Sequence, residues 1–225
     1  MIPWAHLDVA QIPNGGGEIR LIQRGAEFSI MLGQIVLMNS RLRGSEEALA
    51  SMACQRIAGR RQPQMLIGGL GMGFTLRAAL ALLGADARVT VAELVPAVIK
   101  WARGPMAEIF GESLTDRRVS IHEGDVVPLI RANKSAYDAI LLDVDNGPDG
   151  LTHEGNDRLY TAGGLVAACA ALRPAGVLLV WSSGPDERFT GRMRKSGLVV
   201  EEVKVRANGK GRGARHVIWV GTKAG

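Results

Sequence analysis

Residues 65–84, MLIGGLGMGFTLRAALALLG, set the reading of the whole chain. A short apolar run ends in glycines and passes directly into a segment with helical apolar spacing. That is a buried strand turning sharply into a helix. The glycines, Gly69, Gly71 and Gly73 among them, let the backbone approach a ligand closely and present N–H groups near a helix's positive end. Tight strand-to-helix turns need glycine for their own geometry too, so taken alone the turn is either a ligand loop or a structural one.

The same unit recurs downstream. RVTVAEL (88–94) reads as a strand, and PAVIKWARGPMAEIF (96–110) as a helix disturbed at Gly104 and Pro105. RVSIHEG (118–124) and DVVPLIRAN (125–133) form the next pair. YDAILLDV (137–144) is the most apolar strand, followed by the helical NDRLYTAGGLVAACAALR (156–173). GVLLVWSS (176–183) is a strand and DERFTGRMRKSG (186–197) a helix. LVVEEVKV (198–205) and RHVIWVG (215–221) close the chain as an antiparallel hairpin around the polar loop RANGKGRGA. Repeated strand–helix order predicts an α/β, Rossmann-like fold: a mostly parallel seven-stranded sheet, helices on both faces, and an antiparallel C-terminal edge.

The segment before it differs. GGGEIRLIQRGAEFSIMLGQIVLMNS (15–40) reads as two or three short strands, with reversals at Gly15 to Gly17, Arg24-Gly25 and Gly33-Gln34. EEALASMACQRIAG (46–59) then reads as a helix with acids in its first turn and Gly59 past its end. The expected division is a small β-hairpin appendage over 1–43 and one ligand-binding domain over 44–225.

Composition narrows the class. Hydrophobic residues are 47% of 225, enough to build a core and to exclude disorder as the main state. No run approaches the roughly 20 apolar residues of a membrane-spanning helix. MIPWAHLDVAQIP lacks a cationic segment followed by an apolar run, so a cytoplasmic protein is expected, with no membrane partner. Cys54 and Cys169 are isolated and fall in apolar helical stretches, which argues against a disulfide framework. The four histidines are scattered without ligand spacing, so no metal is expected. A net charge of +5 permits nucleic-acid contact, but Lys204, Arg206, Lys210, Arg212 and Arg215 concentrate it in the C-terminal loop region. Solvated charge is the plainer explanation, and nucleic acid is not the expected partner.

Ligands of such sheets bind beyond the carboxyl ends of the strands, where strand order reverses. Four strand ends carry candidates. The glycine turn is the first. Glu93 follows it by about 20 residues, where a carboxylate accepts from the two ribose hydroxyls of an adenosine-containing ligand, or else simply caps the next helix. Gly124 and Asp125 end the third strand, where Asp125 suits an exocyclic amino group or the N-cap of DVVPLI. The fourth exit, from Asp143 into VDNGPDGLTHEGND, gathers Asp143, Asp145, Asp149, Glu154 and Asp157, balanced nearby only by Arg158. Such a concentration of acid in a basic protein invites a cationic ligand, with Asp143 the leading candidate because it ends the most buried strand. Trp181 and Ser182-Ser183 end another strand near the same place, with Trp181 read as a packing residue.

Together these segments resemble the spermidine synthase (polyamine aminopropyltransferase) family, a relative of the class I methyltransferases. MLIGGLGMGFTLR is similar to its VLIIGGGDGGxLRE segment, and VTVAELVPAVIKWAR to its ribose strand and helix. HEGD resembles its adenine-binding turn, YDAILLDVDNGP its YDvIi.DssDP, and RLYTAGGLVAACAALRPAGVLLV its LY/LF…L..gG pattern. The likeness runs over most of residues 30 to 185 and implies a methyltransferase-type Rossmann-like fold. It implies decarboxylated S-adenosylmethionine, or S-adenosylmethionine itself, as cofactor. Gly69, Gly71 and Gly73 would lie by its methionine portion, Glu93 by the ribose, and Gly124 and Asp125 by the adenine. Asp143 would deprotonate and position the attacking amine, with Asp145 and Glu47 also on the catalytic side. The implied reaction is aminopropyl transfer to a small amine such as putrescine, and the implied assembly a homodimer.

The chain departs from the family at Met72, where the glycine loop has an Asp, at Ser45, where it has a Tyr, and at Val36, where it has a Gln. These departures keep two alternatives: an S-adenosylmethionine-dependent methyltransferase, and a non-catalytic adenosine-thioether-binding regulatory protein. RNA modification steered by the basic C-terminal hairpin is a further alternative.

Overall fold

Strand periodicity divides the interior into two cores. In the computed structural model, which describes residues 2–144, 157–208 and 212–225, successive residues of each central strand face opposite sides of one sheet. Met65 and Ile67, Ala139 and Leu141, Val177 and Leu179 enter one core. Their neighbours Leu66, Ile140, Leu142, Leu178 and Val180 enter the other. Continuous apolar runs such as AILL are what a strand covered on both faces requires.

The first four strands are β1 (Ala5–Gln11), β2 (Glu18–Arg24), β3 (Glu27–Leu32) and β4 (Ile35–Asn39). They form an antiparallel sheet in the order β1-β2-β3-β4. Then come α1 (Gly44–Arg56), β5 (Gln64–Gly68), α2 (Phe74–Leu82), β6 (Arg88–Glu93), α3 (Pro96–Arg103), α4 (Ala107–Phe110), β7 (Val119–Glu123) and α5 (Val126–Ala132). The chain continues through β8 (Tyr137–Leu142), α6 (Asp157–Tyr160), α7 (Ala162–Ala171), β9 (Leu172–Ser182), α8 (Glu187–Lys195), β10 (Leu198–Asn208) and β11 (Arg212–Lys223).

The large sheet has the order β10-β11-β9-β8-β5-β6-β7. Pairing is parallel from β9 through β7 and antiparallel on both sides of β11. The expected fold class is therefore observed. One detail of the C-terminal hairpin is not legible in its sequence: its second strand lies inside the sheet, so β11 alone runs against the rest. Residues of α1, α2 and α3 fill one core, and those of α5, α7 and α8 the other.

The small sheet packs on the first of these cores through Ile19, Leu21, Phe28 and Ile30. Residues 15–40 supply three of its four strands, as expected, and β1 before them is the addition. β1 escapes a sequence reading because its alternation is inverted, with Leu7 and Val9 exposed. Asp8, the polar residue between them, accepts hydrogen bonds from Trp101 Nε1 (2.8 Å) and Lys100 Nζ (3.1 Å). Those two donors, Trp101 first, hold the Asp8 carboxyl down at about 2. The strand is thus tied to α3 by a carboxylate rather than by apolar alternation.

At the end of the sheet away from the glycine turn, buried Asp138 gathers three segments. It accepts from Arg60 Nη1 (2.6 Å), Arg173 Nη1 (2.8 Å) and the backbone N–H of Gln64 (2.7 Å). Asp138→Ala strands that amide and sets two guanidinium groups against each other. The expected loss is about 2–4 kcal/mol, less than for a fully buried orphan because both arginines reach solvent. A urea unfolding midpoint lowered at unchanged slope checks it, and a loss below about 1 kcal/mol contradicts it.

Candidate functional site

Parallel pairing in register brings four strand ends to one edge. Gly68 of β5 stands beside Ala92 of β6 and Leu142 of β8, and Glu93 beside Glu123 of β7. The ladder continues one residue further. Gly69 N–H donates to Ala92 O (2.8 Å), Gly124 N–H to Glu93 O (2.8 Å), and Asp143 N–H to Gly68 O (2.9 Å). Sequence order reverses between β5 and β8, which makes this edge the switch point where such sheets open a crevice.

The glycine turn needs its glycines for different reasons. Gly69 has φ +95°, and a Cβ there would run into the Asp143 carbonyl oxygen. Gly73, at φ +76°, presses instead on the Phe110 ring, so its missing side chain serves packing against α4. Gly69 and Gly71 line a cavity together with Glu93, Gly124, Asp125 and Asp143. Ile12, Ile19, Ile30, Leu37 and Met38 of the small sheet and its loops line it as well. The appendage thus supplies one wall of this cavity.

Glu93 is 7% exposed, and both of its oxygens are engaged by the backbone. Oε2 accepts from Leu70 N–H and Oε1 from Val95 N–H, each at 2.9 Å. A carboxylate takes more than two donors, so this tie is compatible with further hydroxyl partners. Asp125 is the N-cap of α5 and accepts from Val127 N–H at 2.8 Å. Its capping role is realised, and it still lines the cavity.

Asp143 sits where two cavities meet. Its Oδ2 accepts from Thr75 Oγ1 (2.6 Å) at the start of α2. Burial pushes its carboxyl up to about 6, against the lowering effect of the Thr75 hydroxyl. The second cavity is lined by Asp143, Glu46, Met72, Gly73, Phe74 and Trp181, with Leu37, Met38, Leu70 and Gly71. No Lys or Arg lines it among the described residues. Burial, then the negative charge of Asp143, push Glu46 up to about 7, while the Ser45 hydroxyl acts in the opposite sense.

The expectation for Glu47 is corrected here. Glu47 is exposed and pairs with Arg43 across the surface (3.2 Å), while its neighbour Glu46 faces Asp143. Helix phase explains the exchange. Leu49, Ala50 and Ala53, three, four and seven residues after Glu46, are all buried, whereas Glu47 lies at the edge of that stripe, with Ser51 and Gln55, four and eight residues on, part-buried and exposed. Asp145, Asp149 and Glu154 lie outside the described residues. Thr75, Glu46 and the apolar wall from the small sheet are additions to the residues read from the sequence, and Trp181 lines the second cavity rather than only packing. Among the described residues no group of three or more His, Cys, Asp or Glu is placed to hold a metal ion.

No protein-family model matches the chain. The polyamine aminopropyltransferase of Sulfolobus acidocaldarius is 30% identical over 122 residues, which are 54% of this chain and 39% of that protein. The chain therefore matches about two fifths of that relative's length. Among solved structures, spermidine synthase from Thermotoga maritima superposes with a TM-score of 0.76, covering 97% of this chain and 72% of that one at 18% identity. A spermidine synthase in complex with the transition-state analogue AdoDATO gives the same values. The O-methyltransferase TomG from Streptomyces achromogenes, in complex with SAM, has a TM-score of 0.55 at 16% identity and covers 80% of each chain. At these identities the structures speak for the fold. By sequence over about half its length the chain is similar to a polyamine aminopropyltransferase, and over nearly all of it the chain shares the fold of spermidine synthase, a methyltransferase-like fold.

Proposed function

We propose that the chain is a transferase that moves the aminopropyl group of decarboxylated S-adenosylmethionine to a small aliphatic amine such as putrescine. The observation that carries this reading is the position of Asp143. It is a part-buried carboxylate between a glycine-lined cavity and a second cavity whose described lining holds acids but no cation. Such a boundary favours a positively charged group on either side.

The residues suit an adenosyl ligand. Gly69 and Gly71 leave backbone where side chains would intrude, Glu93 offers carboxylate oxygens to ribose hydroxyls, and Asp125 offers a second acceptor near an adenine amino group. Bound there, the sulfonium supplies an activated carbon and a neutral thioether leaving group. The chain's own work is alignment and proton removal. Asp143 accepts a proton from the incoming ammonium, which frees the nitrogen lone pair for in-line attack. Leu37, Met38 and Phe74 exclude water around it, which keeps the amine from being reprotonated before it reacts.

A second reading is methyl transfer from S-adenosylmethionine. It is favoured by Met72, whose thioether side chain is buried in the wall of the second cavity, where an acid would be needed to hold an aminopropyl ammonium. Turnover of both cofactors with a panel of amines distinguishes the two. Aminopropylated product from the decarboxylated form supports the first, and methylated product from the carboxylated form replaces it with the second.

Two variants test the roles. Asp143→Asn is expected to lower kcat/KM by about 10²–10⁴ while leaving the affinity for 5′-methylthioadenosine within about threefold. Glu93→Ala is expected to weaken methylthioadenosine binding by about 10–100-fold, the worth of one or two charge-assisted hydrogen bonds, as read by calorimetry. Full activity in the first, or full affinity in the second, removes the residue from its role.

A further inference from the structure

Two carboxylates face the second cavity, yet the reaction as described uses one. Glu46 comes from the first turn of α1, and its Oε2 accepts from Ser45 Oγ at 2.7 Å. The Ser45 hydroxyl has one hydrogen and gives it to Glu46. The 3.0 Å contact between Ser45 Oγ and His216 Nδ1 is therefore donated by the imidazole. Burial lowers the pKa of His216, favouring the neutral ring, and the Ser45 contact places its hydrogen on Nδ1. A chain of donors thus runs from β11 through Ser45 to Glu46 and holds the carboxylate from behind. Trp181 packs edge-on against His216 (4.8 Å between ring centres), and its enclosed Nε1 has no hydrogen-bond partner among the described residues. Asp143 is held from the other side by Thr75.

We propose that Glu46 and Asp143 act as one acid–base pair that keeps a single proton between them and presents one net negative charge to one ammonium group. This rests on the reading of the cavity as an amine site, and it assigns to Glu46 a role the first account gives to Asp143 alone. The two carboxylates line one cavity with Met38, Met72 and Phe74, where the charge of Asp143 disfavours ionisation of Glu46. Among the described residues, the charged and titratable groups that act on Glu46 are Asp143, Glu47 and, through Ser45, His216. None of them is a cation that would relieve the pair.

The proton count closes. The singly ionised pair takes one proton from the ammonium. The nitrogen lone pair then forms the new C–N bond as the C–S electrons leave with sulfur. The product departs as a secondary ammonium, and the proton left on the pair returns to solvent, so one proton is released per turnover.

The test does not depend on turnover. Carboxyl carbons of the labelled, full-length protein are titrated by NMR in the wild type, in Glu46→Gln and in Glu46→Asp. The wild type is expected to show two side-chain carboxyls titrating above pH 5.5. Glu46→Gln is expected to remove one and move the Asp143 step at least about half a pH unit lower, and Glu46→Asp to retain both. Thermal unfolding gives a second readout. Because the folded Glu46 pKa lies above its unfolded value, its stabilising contribution is complete below about pH 4.5 and is lost as pH rises through about 7. The melting temperature of Glu46→Gln relative to wild type should therefore rise by about 2–5 °C between pH 5 and pH 8. An Asp143 step unmoved by Glu46→Gln overturns the pair, as does a pH-independent difference in melting temperature. If the titrations behave as expected but no amine is consumed with either cofactor, the pair stands and the transferase reading falls.

Discussion

The carboxylate of Glu93 is the tie on which the rest of the site depends. Burying an ionised group is costly unless its lone pairs are met, and here two backbone amides meet them, one from the glycine turn and one from the start of α3. Each such charge-assisted bond contributes about 1.5–3 kcal/mol. Together they lock the turn after β5 to the turn after β6. With Leu70 N–H held, Gly69 keeps its positive φ and its bare backbone against the Asp143 carbonyl. Three strand ends are thereby fixed relative to one another, and the cavity between them inherits that rigidity.

The small sheet completes what the large sheet begins. Met38 of β4 touches the cavity side of Gly71 and, with Leu37, lines both cavities. The two cavities share this apolar wall and meet at Asp143. Low polarity there strengthens every electrostatic effect of the two carboxylates, including their mutual repulsion. A chain with an overall excess of positive charge thus gathers acids at this cavity, with no Lys or Arg among its described lining residues.

Much of this is legible in the sequence, for physical reasons that also mark where legibility stops. The central strands declare themselves through unbroken apolar runs, and the spacing from the glycine turn to Glu93 follows from one helix crossing the sheet. Asp125 shows that a helix cap can also line a cavity. β1 is hidden because Leu7 and Val9 point outward, and the place of β11 within the sheet depends on pairing that no local pattern encodes. The exchange of Glu47 for Glu46 lies between these cases. Motif likeness leads to Glu47, while the helix phase set by Leu49, Ala50 and Ala53 turns Glu46 inward. Thr75 carries no local signal, since its partner Asp143 is 68 residues away.

The claim at the centre is that these strand ends form an adenosyl-thioether site with Asp143 beside the sulfur. A crystal structure of the chain with 5′-methylthioadenosine tests it most directly. The account predicts ribose hydroxyls within about 2.6–3.2 Å of the Glu93 oxygens, adenine beside Asp125, and sulfur between Gly71 and Asp143. A nucleoside bound elsewhere, or bound here with its sulfur turned away from Asp143, would contradict it.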